Sequence, residues 1–200
     1  MVRNASAEQL LSVSPLTPAW RVRDVLGHLC GVSEDIVAGN FPGRDLNAWA
    51  AAQVERVHDV GIEEILQRWT STGIEENFSE AFGQMLFDQV SHEFDIRYAL
   101  NVRGETTSER VRLASRFAAN LLRGPRRTTI YAGNDVYEFD GDEPALTLTC
   151  TPFALLRSTT GRRSWDQVCA LEWHGDLAYV KAQLFGAGFF SPTSFDVKES

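Results

Sequence analysis

Asp88 and His92 are the two residues of this chain whose types and spacing could do chemistry together. They stand four residues apart in the stretch FDQVSHEFDIRYAL, so on a helix their side chains would emerge only about 40° apart around the axis. A carboxylate and an imidazole placed in this way could close on one small cation. A catalytic zinc ion usually has three protein ligands and a water molecule, so a third ligand must come from elsewhere in the chain.

His28 is the candidate for the third ligand among the four histidines His28, His58, His92 and His174. It stands in the stretch VRDVLGHL, whose apolar residues at positions 22, 25, 26 and 29 have the spacing of an amphipathic helix. Helical bundles build metal sites from facing helices in this way. The sequence therefore predicts a metal site of His28, Asp88 and His92. A hydrogen-bonded Asp88–His92 pair without a metal is the alternative.

Asp95 extends the same helical face, because it lies seven residues after Asp88. A metal-bound imidazole usually donates its other ring N–H to a carboxylate, which fixes the tautomer of the ring. Asp95 could accept that hydrogen bond from His92, or it could pair with Arg97.

The elements that must position these residues divide the chain into a helical part and a mixed part. Residues 1–124 predict a helical bundle, and residues 125–200 predict a small α/β lobe, which together make an α+β fold. The helical segments lie near residues 22–38, 45–58, 62–71, 79–101 and 108–123. In the lobe the pattern predicts a hairpin at 128–132 and 135–139, a strand at 145–150, a helix after Pro152, a short helix after residue 164 and another at 177–185.

Composition excludes several classes of function. The net charge of −8 and the pI near 5.0 argue against binding of nucleic acid. No apolar run is long enough to span a membrane, and the amino-terminal residues lack the apolar core of a signal peptide, which predicts a cytoplasmic protein. The cysteines, Cys30, Cys150 and Cys169, form neither a disulfide framework nor a CxxC zinc pattern. They are expected to be reduced thiols, and none stands out as a nucleophile.

Four stretches of the chain carry a resemblance to a known family. They are PAWRVRDVLGHL at 18–29, DQVSHEFDIR at 88–97, PFALLR with TGRRS at 152–157 and 160–164, and LEWHGD at 171–176. In this order, over roughly residues 15–190, they resemble the mycothiol-dependent maleylpyruvate isomerase family, whose core is a DinB-type helical bundle.

The resemblance implies a site and a chemistry. His28, Asp88 and His92 match the positions that hold a divalent metal ion, usually Zn²⁺, and mycothiol would be the thiol cosubstrate. In the isomerase the thiolate adds to the double bond of maleylpyruvate, the bond rotates, and elimination gives the trans isomer. A dianionic substrate needs cationic partners, and Arg157, Arg162 and Arg163 in the lobe are the candidates. Each of these arginines could instead be solvated or could neutralise acidic neighbours.

Two positions depart from the pattern of the family. The isomerase is expected to have Glu where this chain has Asp88, and the shorter side chain would bring the metal closer to the helix. The position of Arg21 is commonly Thr or Ser, so a helix cap worth about 1 kcal/mol is expected to be lost. Three further interpretations stay open: a mycothiol S-transferase acting on electrophiles, a metal-binding bundle without catalysis, and a bundle without metal.

Overall fold

The computed structural model describes residues 1–43, 45–74 and 83–199. Within these residues it contains nine α-helices and one four-stranded sheet, which confirms the predicted α+β class. The chain divides into two compact units, Met1–Arg103 and Gly104–Ser200. In the described part of the chain, no helix is both long and apolar enough to cross a membrane.

The first unit is helical and is organised around its second helix. Its helices are α1 (Ala7–Leu11), α2 (Val22–Val37), α3 (Leu46–Glu55), α4 (Ile62–Ser71) and α5 (Gly83–Ala99). Four predicted helices are present with similar bounds, although residues 79–82 of the predicted segment 79–101 lie outside the described residues. Helix α2 contacts each of the other four. Its apolar face, which includes Val25, Leu26 and Leu29, is buried against Val57 and Ile65.

The start of α2 shows what replaces the missing cap. The side chain of Arg21 does not cap the helix. The backbone N–H of Arg21 instead donates to the carboxylate of Asp24 at 2.9 Å, and the guanidinium donates to both oxygens of that carboxylate at 2.8 and 2.9 Å. Burial raises the pKa of Asp24, but the hydrogen bonds and the charge of Arg21 outweigh burial and leave that pKa lowered. A bidentate ion pair therefore holds the helix end.

Two glycines let α3 approach the backbone of α2. A Cβ atom on Gly31 would fall 2.5 Å from the Cβ of Gln53, and one on Gly27 would fall 2.4 Å from a methyl group of Val57. Both distances are far below van der Waals contact, so a larger residue at either glycine would have to displace α3 or the segment that follows it. The four-residue spacing of the glycines puts both on the same side of α2.

The second unit contains α6 (Glu109–Ala119), β1 (Arg126–Ala132), β2 (Asp135–Phe139), β3 (Glu143–Cys150), α7 (Pro152–Thr159), α8 (Trp165–Cys169), β4 (Glu172–His174) and α9 (Leu177–Phe185). The sheet order is β2-β1-β3-β4, in which β1 and β3 are parallel and the other pairs are antiparallel. Gly133 has a φ of 62° in the predicted two-residue turn between β1 and β2, a conformation that favours glycine.

Helix α6 belongs to the second unit, where it packs against α7. The division into a helical bundle and a lobe at residue 124 stays a prediction. Strand β4 is not among the elements that the sequence predicted. It forms because Trp173 and His174 pair with Leu148 and Thr147 of β3. A strand of three residues is too short for its sequence pattern to predict this long-range pairing.

Candidate metal centre

His28, Asp88 and His92 come together where α5 packs against α2. One possible ligand atom from each residue lies within 4.8 Å of the others. The Nε2 atom of His28 is 3.2 Å from Oδ2 of Asp88, and the Nε2 atom of His92 is 3.6 Å from Oδ1 of the same carboxylate. Both imidazoles are buried, whereas the side chain of Asp88 keeps 30% of its surface exposed. The three predicted ligands thus form one group that solvent can reach on the side of Asp88.

A buried carboxylate orients the ring of His92. The Nδ1 atom of His92 lies 3.0 Å from Oδ2 of Asp95, whose side chain is fully buried. A carboxylate accepts hydrogen bonds, so Nδ1 carries the proton and donates it to Asp95. The lone pair of Nε2 is then directed to Asp88 and His28. This is one of the two contacts that the sequence left open for Asp95, and Arg97 pairs with Glu93.

An amide orients the ring of His28. The Nδ1 atom of His28 lies 2.7 Å from Oε1 of Gln53, a residue of α3 whose side chain is fully buried. The other end of this amide, Nε2 of Gln53, donates to Oδ2 of Asp35 at 2.8 Å. Because Oε1 accepts, Nδ1 of His28 must donate, and Nε2 of His28 is left as an acceptor.

Asp35 is itself held by a set of donors. The guanidinium of Arg56 donates to Oδ2 of Asp35 at 2.8 Å, and the amide of Asn40 donates to Oδ1 at 3.0 Å. Burial raises the pKa of Asp35, but the hydrogen bonds from Gln53, Arg56 and Asn40 outweigh it and lower that pKa. The carboxylate therefore stays ionised and accepts from Gln53.

The outcome of these contacts is three acceptor atoms that face one another. The two Nε2 atoms and the carboxylate of Asp88 all present lone pairs, and lone pairs at such distances repel unless a proton or a cation lies between them. Two nitrogens and one carboxylate oxygen form a donor set that suits Zn²⁺ and also Fe²⁺. Within the described residues, these are the His, Cys, Asp and Glu side chains grouped closely enough to hold a metal.

Trp20 forms an aromatic side of the site. Its ring centroid lies 4.9 Å from that of His28 and 5.8 Å from that of His92, and both contacts are tilted. The two imidazoles meet edge to face at 5.1 Å. Trp20 immediately precedes Arg21, the N-cap residue of α2. The ion pair between Arg21 and Asp24 therefore also holds the backbone next to this ring.

The three arginines predicted to bind substrate have partners within the second unit. Arg157 is fully buried, and its Nε and Nη2 atoms donate to the carboxylate of Glu199 at 3.2 and 2.7 Å. Arg163 donates to the same carboxylate at 2.5 Å. Arg162 is buried and donates to the backbone carbonyl of Thr160 at 2.7 Å. The role of these arginines in binding an anionic substrate stays a prediction.

The cysteines are free thiols, as the sequence predicted. Burial raises the pKa of Cys30 to about 11, with a further contribution from the charge of Glu34, and burial raises the pKa of Cys150 to about 12. Burial also raises the pKa of Cys169. All three thiols are therefore protonated near neutral pH and are poor nucleophiles.

Sequence reasoning missed Gln53, Asp35 and Trp20 as parts of the site. A signal existed for Asp35, because it lies seven residues after His28 on α2 and shares its face. Gln53 reaches His28 from another helix. The spacing of Gly27 and Gly31 indicates that a second helix packs closely here, but it does not indicate which residue of that helix contacts His28.

Comparison of the chain with protein-family models, with curated proteins and with solved structures found no match.

Proposed function

We propose that the protein binds one divalent metal ion, Zn²⁺ in the first place, through His28, Asp88 and His92. The observation that carries the proposal is that three acceptor atoms converge. Two of them are imidazole nitrogens, and neighbouring residues set the tautomers of those two rings. Two ligands about 2.0 Å from a tetrahedral metal lie about 3.3 Å apart. The contacts of 3.2 and 3.6 Å to the carboxylate of Asp88 fit that spacing with little rearrangement.

The side chains around the site also suit a cation. Asp88 and Asp95 place two carboxylates beside the two imidazoles. Three protein ligands leave a coordination position for a water molecule or a substrate, which is typical of catalytic rather than structural zinc.

We further propose that the protein is an enzyme that uses an external thiol, with mycothiol as the first candidate. The resemblance to the mycothiol-dependent maleylpyruvate isomerase family supports this proposal, because two of the resembling stretches contain all three ligands. The metal would supply a Lewis acid that lowers the pKa of a coordinated thiol. The chain's own residues would orient the ligands through Asp95 and Gln53 and would place the ring of Trp20 beside the reacting groups.

Transfer of the thiol to an electrophile is the second candidate reaction. It is favoured over isomerisation by the pairing of Arg157 and Arg163 with Glu199. A dianionic substrate needs cationic partners, whereas an uncharged electrophile needs none. In a displacement the thiolate sulfur forms a bond to the electrophilic carbon, the leaving group departs with the electron pair of its own bond, and the thiol proton goes to solvent. In an addition to a double bond the electron pair of that bond takes up a proton from solvent, which replaces the one that the thiol lost.

The metal is tested first, by elemental analysis for zinc and iron in the purified protein. We expect about one metal ion per chain in the wild type and none in the His28→Ala and His92→Ala variants. His174→Ala is the matched control, since that imidazole is 72% exposed and lies in the other unit. A wild-type protein that contains no metal and takes up none would refute the site.

The thiol reaction is tested on the metal-loaded protein. With maleylpyruvate, formation of the trans isomer is followed, because elimination returns the thiol unchanged. With an uncharged alkylating electrophile, loss of mycothiol is followed, and glutathione serves as the comparison thiol in both assays. Turnover that requires both the metal and mycothiol would support the enzyme. Tight metal binding without turnover of either substrate would favour the metal-binding bundle without catalysis.

A further inference from the structure

The two imidazoles of the metal centre differ in what fixes their tautomers. A carboxylate such as that of Asp95 has only acceptor atoms, so it enforces a protonated Nδ1 on His92 whichever way it turns. An amide has an acceptor at one end and two donors at the other. Gln53 therefore enforces a protonated Nδ1 on His28 only while its oxygen, and not its nitrogen, faces the ring.

The neighbours of Gln53 decide which end faces His28. Nε2 of Gln53 donates to Oδ2 of Asp35 at 2.8 Å, and Asp35 accepts further hydrogen bonds from Arg56 and Asn40. A turned amide would bring its oxygen against the carboxylate oxygen of Asp35. In the buried interior two acceptors in contact cost on the order of a lost hydrogen bond or more, so the observed orientation is favoured.

We propose that Gln53, oriented by Asp35, is a positioning residue that holds His28 in its Nδ1–H tautomer and so keeps Nε2 available as a ligand. The consequence for metal binding rests on the proposed metal site, whereas the tautomer itself does not. The chain of contacts runs from Arg56, whose side chain is 39% exposed, through Asp35 and Gln53 to His28. A residue near the surface thereby helps to set the state of a buried imidazole.

A second buried glutamine provides the control. Gln89 is 2% exposed and lies on α5 between Asp88 and His92 in sequence, yet neither end of its amide has a hydrogen-bond partner among the described residues. Gln53 and Gln89 are thus matched in residue type and burial, and they differ in whether the amide makes a hydrogen bond to a proposed metal ligand. Replacement of each by Met removes the amide and keeps a similar volume.

The experiment is ¹⁵N NMR of the imidazole nitrogens in the metal-free protein at about pH 8, where imidazoles are ordinarily neutral. The chain has four histidines, and His28 is assigned from a His28→Gln variant. We expect His28 to have a protonated Nδ1 in the wild type and in Gln89→Met. In Gln53→Met and in Asp35→Asn we expect the Nε2–H tautomer to appear. The reason in Asp35→Asn is that the introduced amide can donate to a turned Gln53.

Gln53→Glu separates orientation from packing. A glutamate in this place loses the hydrogen bond to Asp35 and puts two carboxyl groups together, so it should destabilise the protein more than Asp35→Asn does. The glutamate oxygen that faces His28 carries no proton when the glutamate is ionised, or when its proton lies on the side of Asp35. That oxygen can then only accept from His28, so the Nδ1–H tautomer should persist. If Gln53 has only a structural role, the tautomer of His28 should follow the loss of stability and should change more in Gln53→Glu than in Asp35→Asn.

Metal affinity is the second readout, measured by competition with a chromophoric zinc chelator. We expect a loss of about 10–100-fold in Gln53→Met and Asp35→Asn, as is usual when the partner of a metal-bound histidine is removed, and no loss in Gln89→Met. If His28 keeps a protonated Nδ1 in both Gln53→Met and Asp35→Asn, the proposal is overturned. If the tautomers shift as expected but no variant or wild-type protein binds zinc, the proposed function fails and the positioning role stands.

Discussion

The Nδ1 atom of His92 lies 3.0 Å from Oδ2 of Asp95, one helical turn further along α5. The side chain of Asp95 is fully buried and that of His92 is 8% exposed, so water does not compete for this contact. A buried carboxylate on one ring nitrogen makes the other nitrogen a stronger electron donor. His92 and Asp95 thus act as a unit in which one residue supplies the ligand atom and the other sets its direction and basicity.

Replacement of Asp95 by Asn should therefore weaken metal binding without removing a ligand. The introduced amide can present either an acceptor or a donor to His92, so the Nδ1–H tautomer is no longer enforced. We expect zinc affinity to fall about 10–100-fold in a chelator competition. Glu93→Gln, on the same helix but paired with Arg97, is the control and should bind zinc as the wild type does. Equal affinities of Asp95→Asn and the wild type would contradict the role of Asp95.

The sequence was sufficient to predict this contact but not the corresponding one to His28. Asp95 and His92 belong to one helix, where spacing alone places side chains on a common face. Gln53 lies on α3, and it reaches His28 because Gly31 lets the helices approach to a distance that a Cβ would not allow. Close helix packing depends on which faces meet in three dimensions, and periodicity does not specify that.

The fold shows the same division between local and long-range information. The bounds of α2 and α4 and the turn at Gly133 follow from local patterns, and they were predicted within a residue or two. The three-residue strand β4 exists because β3 offers it a pairing edge. The amphipathic pattern of α6 predicts a buried face but does not reveal that α7 packs against it.

Substitution of Asp88 by Glu tests the departure from the residue expected in the isomerase. The extra methylene should move the carboxylate away from α5 while the two imidazoles keep their places. We expect Asp88→Glu to bind about one zinc ion per chain, and we expect Asp88→Ala, which removes the carboxylate, to bind none. The visible spectrum of the Co²⁺-loaded protein should differ between Asp88→Glu and the wild type, because the geometry of the carboxylate ligand changes. Retention of zinc by Asp88→Ala would show that Asp88 is not a ligand.

Gly31→Ala should affect both stability and the metal centre. The added Cβ would lie 2.5 Å from the Cβ of Gln53, so α3 must shift and Gln53 must move relative to His28. We expect the free energy of unfolding to fall by about 1–3 kcal/mol, the usual cost of overpacking, and zinc affinity to fall with it. Gly43→Ala is the control, because a Cβ at that position meets no atom within 4 Å. Urea denaturation of the metal-free proteins gives the stabilities, and a Gly31→Ala protein as stable as Gly43→Ala would show that the helices can separate without cost.

Glu199→Ala should lower the free energy of unfolding of the protein. Its carboxylate is 5% exposed and pairs with Arg157 and Arg163, of which Arg157 is fully buried. Glu199→Ala removes the carboxylate that these two guanidinium groups share, and we expect the free energy of unfolding to fall by about 3 kcal/mol. Lys198→Ala, at the exposed neighbouring position, should change stability little. If urea denaturation finds both variants equal to the wild type, the buried pair adds nothing to stability.

Acid should destabilise the metal-free protein through Asp24 and Asp35. The pKa of each is lowered in the folded state because hydrogen bonds from Arg21 to Asp24, and from Gln53 and Arg56 to Asp35, outweigh burial. A lowered folded-state pKa means that the unfolded chain takes up protons first. The stabilisation is therefore complete above the ordinary aspartate pKa of about 3.9 and is lost as the pH falls below it. We expect the free energy of unfolding to decline below about pH 5, and more gently in the double variant Asp24→Asn/Asp35→Asn. Urea denaturation at a series of pH values measures both slopes, and parallel slopes would mean that other carboxylates cause the decline.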